Sequence, residues 1–344
     1  MTDDPALDTL LHPFSSGVVS WPQDGHVLFL RARSGSALGE FPRERLVCEQ
    51  SFKPYADALA RAGLAVSEST EQAFPLILAL PPRQREEARA LLARAIQGCV
   101  AGGMVMASMS NAEGARSGEA DLERLAGNIH SLSKNKCRVF WATIDAAAKN
   151  SALVAEWAAL DVPRPIADGR FVSRPGLFAW DRIDRASALL AAHLPGDLSG
   201  RAADLGAGYG YLSAELLARN PKISVLDVYE AEARALAVAR ANLAQASGCV
   251  EIGFHWHDVT TGLPGRYDVI ISNPPFHQGR ADQPDLGKAF IVAAAQALNA
   301  GGRLWLVANR HLPYEAVLAG HFATMRAVIV QDGFKVIEAV KAQA

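Results

Sequence analysis

The sequence predicts an α/β protein in two parts, the second a mostly parallel sheet with helices on both faces, and three observations carry that expectation. From Arg201 onward, short apolar runs alternate with helix-like stretches. The segment Asp161 to Gly176, DVPRPIADGRFVSRPG, separates two helix-like stretches with three prolines and two glycines. The string DLGAGYG, Asp204 to Gly210, stands where a first strand gives way to a helix. Strands alternating with helices of this length require crossovers, and crossovers bury a parallel sheet on both sides.

Taken in order, Arg201 to Leu205 reads as a strand, Tyr211 to Arg219 as a helix, Ile223 to Tyr229 as a strand and the Ala-rich Ala231 to Ala246 as a helix. Glu251 to His257 and Tyr267 to Ser272 are further strands, followed by helix Lys288 to Leu298 and strand Arg303 to Ala308. Upstream of the junction Ala146 to Leu160 has helical spacing, and downstream Asp181 to Leu194 reads as an amphipathic helix. These place the boundary between residues 1–162 and 163–344. The N-terminal half repeats the rhythm faintly, with strand Pro75 to Leu80, helix Pro82 to Ile96 and strand Gly102 to Met109. GGMVMASMSN at Gly102 also echoes GGRLWLVAN at Gly301, which suggests a duplicated domain. The N-terminal copy lacks the glycine turn, so a duplicate would have lost that turn's ligand.

At 344 residues, half of them hydrophobic and a fifth charged, the chain has globular composition and length for two cores. The first residues show no basic stretch leading into an apolar run, and runs such as Phe74 to Leu80 are too short for a bilayer, so a soluble cytosolic protein is expected. Cys48, Cys99, Cys137 and Cys249 form no CxxC pair, which argues against a metal site and against a disulfide framework. With a formal net charge of −2, a nucleic-acid partner would have to be met by a local basic patch.

The glycine turn follows GxGxG spacing, without the GxGxxG of dinucleotide binders or the Lys-Ser/Thr of a phosphate loop. A cofactor without phosphates fits better, and Asp204, with Gly206 and Gly208 for close approach, suits the cationic methionine end of S-adenosylmethionine. Glu230, ending the second strand, is placed for ribose hydroxyls. Asp227 competes for that role from mid-strand. Asp258 and the amide of Val259 suit the adenine. The most specific string is Asn273-Pro274-Pro275-Phe276: the prolines hold the chain extended, the Asn273 oxygen and the Pro274 carbonyl would accept both hydrogens of an aromatic amine, and Phe276 would stack on the base.

These motifs resemble class I S-adenosylmethionine methyltransferases of the amino-methylating branch. FVSRPGLFAWDRIDRASALL (Phe171 to Leu190), NPPFHQGR (Asn273 to Arg280) and GGRLWLVANRHLPYE (Gly301 to Glu315) resemble the ribosomal RNA guanine-N(2) methyltransferases of the RsmC and RlmG type, as does LSKNKCRVFWA (Leu132 to Ala142) in the first half. The resemblance implies a Rossmann-like catalytic domain behind a degenerate methyltransferase-like domain, and methyl transfer to guanine in ribosomal RNA, small-subunit RNA before large-subunit RNA. It also implies that Phe178 and Asp181 cover the cofactor pocket. LDVYE departs from the family's second motif and leaves the choice between Asp227 and Glu230 open.

His277 is a candidate for the guanine carbonyl, and Asn309, Arg310 and His311 for RNA phosphate; each also has an ordinary surface role. The same holds for the basic groups Lys134, Lys136, Arg138 and Arg164, Arg170, Arg174. A monomer is expected, acting on ribosomal RNA or a ribosomal subunit. The competing expectations are an adenine or protein glutamine acceptor, or a non-catalytic assembly factor.

Overall fold

Each half of the chain builds a seven-stranded sheet, and the two sheets share one strand order. The computed structural model describes residues 4–67, 70, 72–246, 250–275, 277–278, 281–282 and 284–343, with backbone alone at 277, 278, 281, 282 and 284. Contacts divide the chain into two compact units, Met1–Val162 and Pro163–Ala344.

In the first unit the strands are β1 (Val27–Leu30), β2 (Leu46–Glu49), β3 (Ala65–Ser67), β4 (Phe74–Ala79), β5 (Cys99–Ser110), β6 (His130–Lys134) and β7 (Cys137–Thr143). Their order across the sheet is β3-β2-β1-β4-β5-β7-β6. Its helices are α1 (Pro5–Ser15), α2 (Lys53–Arg61), α3 (Arg85–Gly98), α4 (Ala115–Ala126) and α5 (Ser151–Ala158). Side chains alternate between two cores: Val27 and Phe29 face Leu7, Leu10 and Leu59, while Leu28 and Leu30 join Leu92, Leu122 and Trp157. That period of two on a doubly covered sheet explains why the strands read as continuous apolar runs.

The second unit opens with a two-stranded hairpin, β8 (Arg164–Ile166) and β9 (Phe171–Ser173), then α6 (Arg185–His193), β10 (Ser199–Leu205), α7 (Tyr211–Arg219), β11 (Lys222–Glu230), α8 (Ala233–Asn242), β12 (Glu251–Trp256) and β13 (Tyr267–Ser272). After the short pair β14 (His277–Gln278) and β15 (Ala281–Asp282) come α9 (Pro284–Ala297), β16 (Leu298–Asn309), α10 (Glu315–His321), β17 (Thr324–Gln331) and β18 (Phe334–Val340). The sheet runs β12-β11-β10-β13-β16-β18-β17. Leu190, Leu212 and Leu236 of α6, α7 and α8 cover one face with Ala202, Ile271 and Trp305; Phe290, Ile291 and Leu318 of α9 and α10 cover the other with Leu205, Ile270 and Leu304. The expected helix Ala231 to Ala246 is shorter, because the Glu232 side chain caps its start and Leu243 its end. Strands β17 and β18 were not expected. They are antiparallel about Asp332 and Gly333, both at left-handed φ, a turn chemistry suited to a tight hairpin.

The Gly-Gly echo marks the same irregularity twice. The register shifts between Phe74 and Leu76 against β5, and between Tyr267 and Val269 against β16. Gly102 (φ 77°) and Gly301 (φ 72°) serve the two bulges. Leu30 lies opposite Glu49 and Ala79 as Leu205 lies opposite Tyr229 and Ser272. In that register Phe29 stands for Asp204, Arg31 for Gly206, Gln50 for Glu230, and Leu80-Pro81-Pro82 for Asn273-Pro274-Pro275.

The Pro- and Gly-rich junction is not a bare linker. The Asn242 side chain takes the Val172 N–H at 2.8 Å and donates to the carbonyls of Val172 at 2.9 Å and Tyr209 at 2.8 Å, tying the hairpin to α8 and to the glycine turn. No helix among the described residues is long and apolar enough to cross a membrane, and no group of three His, Cys, Asp or Glu among them is placed to hold a metal.

Replacing Asn242 by Ala leaves three backbone groups without that partner and should lower the stability of the second unit by about 1 to 3 kcal/mol. Hydrogen exchange is the check: the Val172 amide should lose protection while amides of β4 and β5 keep theirs. Unchanged protection at Val172 would show that the hairpin is held by other contacts.

Candidate active site

The site forms where β10 and β13, neighbours at the centre of the sheet, release their chains to opposite faces. Ser272 Oγ donates to the Leu205 carbonyl at 2.8 Å and pins the two strand ends together. Beyond that point the chain from β10 turns through Gly206 (φ 74°), whose N–H, with that of Ala207, goes to the Tyr229 carbonyl. A Cβ at Gly206 would come within 3.3 Å of the Phe290 ring, and the left-handed φ disfavours any side chain there. Gly208 has open space above it, so its backbone is free to meet a ligand.

Asp204 is wholly buried beneath this turn. Ser213 donates to its Oδ2 at 2.7 Å, and Oδ1 has no partner among the described residues. Burial, with the nearby Glu230 charge adding to it, pushes its pKa up to about 7. Glu230 sits at the end of β11 with Oε2 on the Gly208 N–H at 2.7 Å and Oε1 on the Glu232 N–H at 2.8 Å. Burial raises its pKa too, against those two bonds. Asp227 has a different task. It is buried in mid-strand and bonded to Arg201, His255 and the Tyr267 hydroxyl. Burial pushes its pKa up, but the bonds from His255, Arg201 and Tyr267 outweigh it and hold the group below the ordinary value. Its capacity is spent inside the fold, which leaves Glu230 as the acid at the strand edge.

Asn273 follows β13 directly. Its Nδ2 donates to Asp184 Oδ2 at 3.0 Å and lies 2.9 Å from Ser187 Oγ, while its Oδ1 is buried with no partner among the described residues. Asp184 is the N-cap of α6 and Ser187 lies in its first turn. With Phe178, Gly206 and Gly208, these three side chains line one cleft.

Of the residues expected from the sequence, Gly206, Gly208, Asn273 and Phe178 line that cleft, and Phe178 stands 60 % exposed at its rim. Asp204 lies buried below the turn and does not line the cleft. Asp258 caps its own short turn, bonding the N–H and hydroxyl of Thr260, next to the strand edge where the His257 N–H meets the Glu230 carbonyl. Val259 is buried with Tyr229 and Phe290. Asp181 is exposed and paired with Arg182 at 2.8 Å. Pro274 is buried and Pro275 exposed. Phe276 lies outside the described residues, as does the side chain of His277. Asn309 closes β16 opposite Phe334, and the Arg310 N–H bonds the Gly333 carbonyl, which leaves its exposed side chain at the carboxyl edge of the sheet. Several basic groups are engaged elsewhere: Arg138 with Glu119, Arg170 with Glu215, and Arg164 over the Trp180 ring. Asp184 and Ser187 were missed, although an Asp directly before a helix-like stretch is an N-cap signal.

A parallel sheet reversing order between β10 and β13, an antiparallel β18 beside β16, and an acid-backed glycine turn facing an Asn-Pro-Pro segment define a class I methyltransferase fold. Residues 168–338 match the model of the methyltransferase small domain. Over 261 residues the chain is 33% identical to the ribosomal RNA small subunit methyltransferase C of Salmonella newport, covering 75% of this chain and 73% of that protein. Against the protein of the same name from Erwinia tasmaniensis it is 37% identical over 180 residues, and the match spans about half that relative's length, 52%. The chain belongs to the ribosomal RNA small subunit methyltransferase C family. Among solved structures it resembles the 16S rRNA N2 methyltransferase RsmC of T. thermophilus, solved with AdoMet and guanosine, at a TM-score of 0.79 and 24% identity over 98% of this chain and 92% of that one.

Asp204 yields a pH prediction. Its folded pKa lies above the ordinary aspartate value of roughly 3.9, so the folded state holds the proton more tightly. Stability from this group is full below pH about 4 and is lost as pH rises through about 7. Asp204→Asn should therefore melt higher than the wild type at pH 8, with the gap closing toward pH 4. A gap independent of pH would show that Asp204 is ionised at ordinary cost.

Proposed function

We propose that this chain transfers a methyl group from S-adenosylmethionine to the exocyclic N2 amine of a guanine in small-subunit ribosomal RNA. The observation that carries the reading is Asn273 Oδ1, a buried acceptor on a residue of the cleft wall, with no donor among the described residues. Such an orphan costs about 1 to 3 kcal/mol unless something completes it, and a substrate N–H does so.

The residues fit the cofactor on their own chemistry. Glycine backbone open at Gly208 permits close approach, a cation above the unpaired oxygen of Asp204 would favour the ionised form that burial disfavours, and each Glu230 oxygen retains a lone pair for a ribose hydroxyl. Asp258 and Val259 are assigned to the adenine, with Phe178 and Asp181 over the cofactor. S-adenosylmethionine supplies the electrophilic sulfonium methyl.

The protein's part is orientation. An aromatic amine is a weak nucleophile because its lone pair is shared with the ring. Asn273 Oδ1 and the Pro274 carbonyl accept hydrogen bonds from its two N–H groups, which turns the lone pair out of conjugation and toward the methyl, and alignment supplies most of the acceleration. The nitrogen gains the methyl as the sulfonium C–S bond breaks and then releases one proton to water. Pro274 and Pro275 keep those two oxygens in a fixed relation. Phe276 stacks on the base for about 1 to 3 kcal/mol, His277 meets the guanine carbonyl, and Asn309 and Arg310 contact RNA phosphate. The guanine must be unpaired or flipped out, since its amine is unreachable inside a helix. The enzyme works as a monomer in the cytoplasm, and its first unit is a degenerate copy that binds no cofactor.

Labelled S-adenosylmethionine offered with 30S particles, 50S particles and free ribosomal RNA from cells lacking the protein should place N2-methylguanine in small-subunit RNA. Asn273→Ala should lower kcat by about 100-fold or more while cofactor affinity by calorimetry stays nearly constant. Label in adenine or protein, or equal loss of both quantities, would overturn the acceptor assignment.

A further inference from the structure

Nothing in β13 itself decides which way the Asn273 amide is turned. That decision comes from α6. Asp184 Oδ2 already takes the N–H of Ser187 at 2.8 Å as the helix cap, and the same oxygen takes Asn273 Nδ2. Ser187 Oγ is the second acceptor for that nitrogen. Both amide hydrogens are thereby used. If the amide turned over, its oxygen would meet a carboxylate that has no hydrogen to give, and two N–H groups would point where Oδ1 now lies.

We propose that Asp184 and Ser187 are positioning residues that lock the Asn273 amide, so that the site presents an acceptor and selects a substrate group carrying N–H over one offering only a lone pair. This rests on the reading of Asn273 as the acceptor for the amine. The device is economical in residues: a helix cap serves both to start α6 and to fix the polarity of the reacting site. A helix begun by Ser would be capped equally well, since Ser and Asp are comparable at that position, but its shorter side chain would not reach Asn273.

The full-length protein carrying Asp184→Ser together with Ser187→Ala tests this. The expected result is a kcat lower by about 10- to 100-fold, the loss typical of a misplaced reacting group, with S-adenosylmethionine affinity close to wild type and a melting temperature lower by a few degrees, because Asn273 Nδ2 loses both acceptors. Asp184→Asn, which keeps an oxygen where Oδ2 stands, should retain most of the turnover. The cofactor measurement matters because Asp184 and Ser187 themselves line the cleft. Wild-type kcat in the double variant, a fall in cofactor affinity matching the fall in kcat, or an Asp184→Asn variant as slow as the double one would each overturn the proposal. Asn273→Ala measured alongside separates the two ideas: if it turns over normally, the acceptor reading has failed, whereas if it is inactive while the double variant is active, only the positioning has failed.

Discussion

Adjacent strands that send their chains to opposite faces of a sheet must open a crevice at their carboxyl ends, and in this molecule β10 and β13 are that pair. The chain leaving β10 enters α7 on one face; the chain leaving β13 runs on to α9 on the other. Between them the backbone cannot close, and the Ser272 bond to the Leu205 carbonyl marks the last point at which the strands are joined. The glycine turn, the buried carboxyl of Asp204 and the Asn-Pro-Pro segment all owe their positions to this geometry. It also explains how the fold sustains unfavourable groups. A buried acid and an unpaired amide oxygen are tolerated because the surrounding sheet is packed on both sides and leaves them no room to relax.

The first unit shows the same scaffold without those costs. It repeats the strand order and the Gly-Gly bulge, but the register of Asp204 holds Phe29, fully buried in an apolar core. Arg31 stands where Gly206 does, with its guanidinium on Glu87 at 2.7 Å. Gln50 keeps the bond that Glu230 makes, accepting the N–H of the residue two further on, yet spends its amide on the Ala32 carbonyl. Leu80 is buried where Asn273 leaves its oxygen unpaired, and the two prolines remain. The fold is therefore indifferent to the polar groups of the second unit. Their presence there is chemistry added to a scaffold that stands without them.

Much of this was legible in the sequence wherever burial is two-sided. Tyr211–Arg219 and Tyr267–Ser272 fall where apolar spacing puts them, because each is bounded by a glycine turn or by prolines. Strands β17 and β18 were missed although Ala327 to Val330 is an apolar run and the Asp332-Gly333 pair carried a hairpin signal; β17 is largely exposed, so its burial does not alternate. In the first unit, strands of three and four residues such as β3 and β1 are too short for periodicity to declare. That Asp227 is engaged inside the fold needed three dimensions, since only the sheet brings Arg201, His255 and Tyr267 onto it. Asp184 escaped for the opposite reason. An acid at a helix start is so common that its second bond, across 89 positions to Asn273, leaves no mark in the sequence.

The central claim is that Asn273 Oδ1 is an acceptor kept open for an amine. A crystal structure with S-adenosylhomocysteine and a guanine nucleoside tests it most directly. The account predicts the guanine N2 within hydrogen-bond distance of Asn273 Oδ1, with Nδ2 still held by Asp184 and Ser187. A base bound in the cleft with N2 pointing elsewhere, or with the Asn273 amide turned so that its nitrogen faces the ligand, would contradict it.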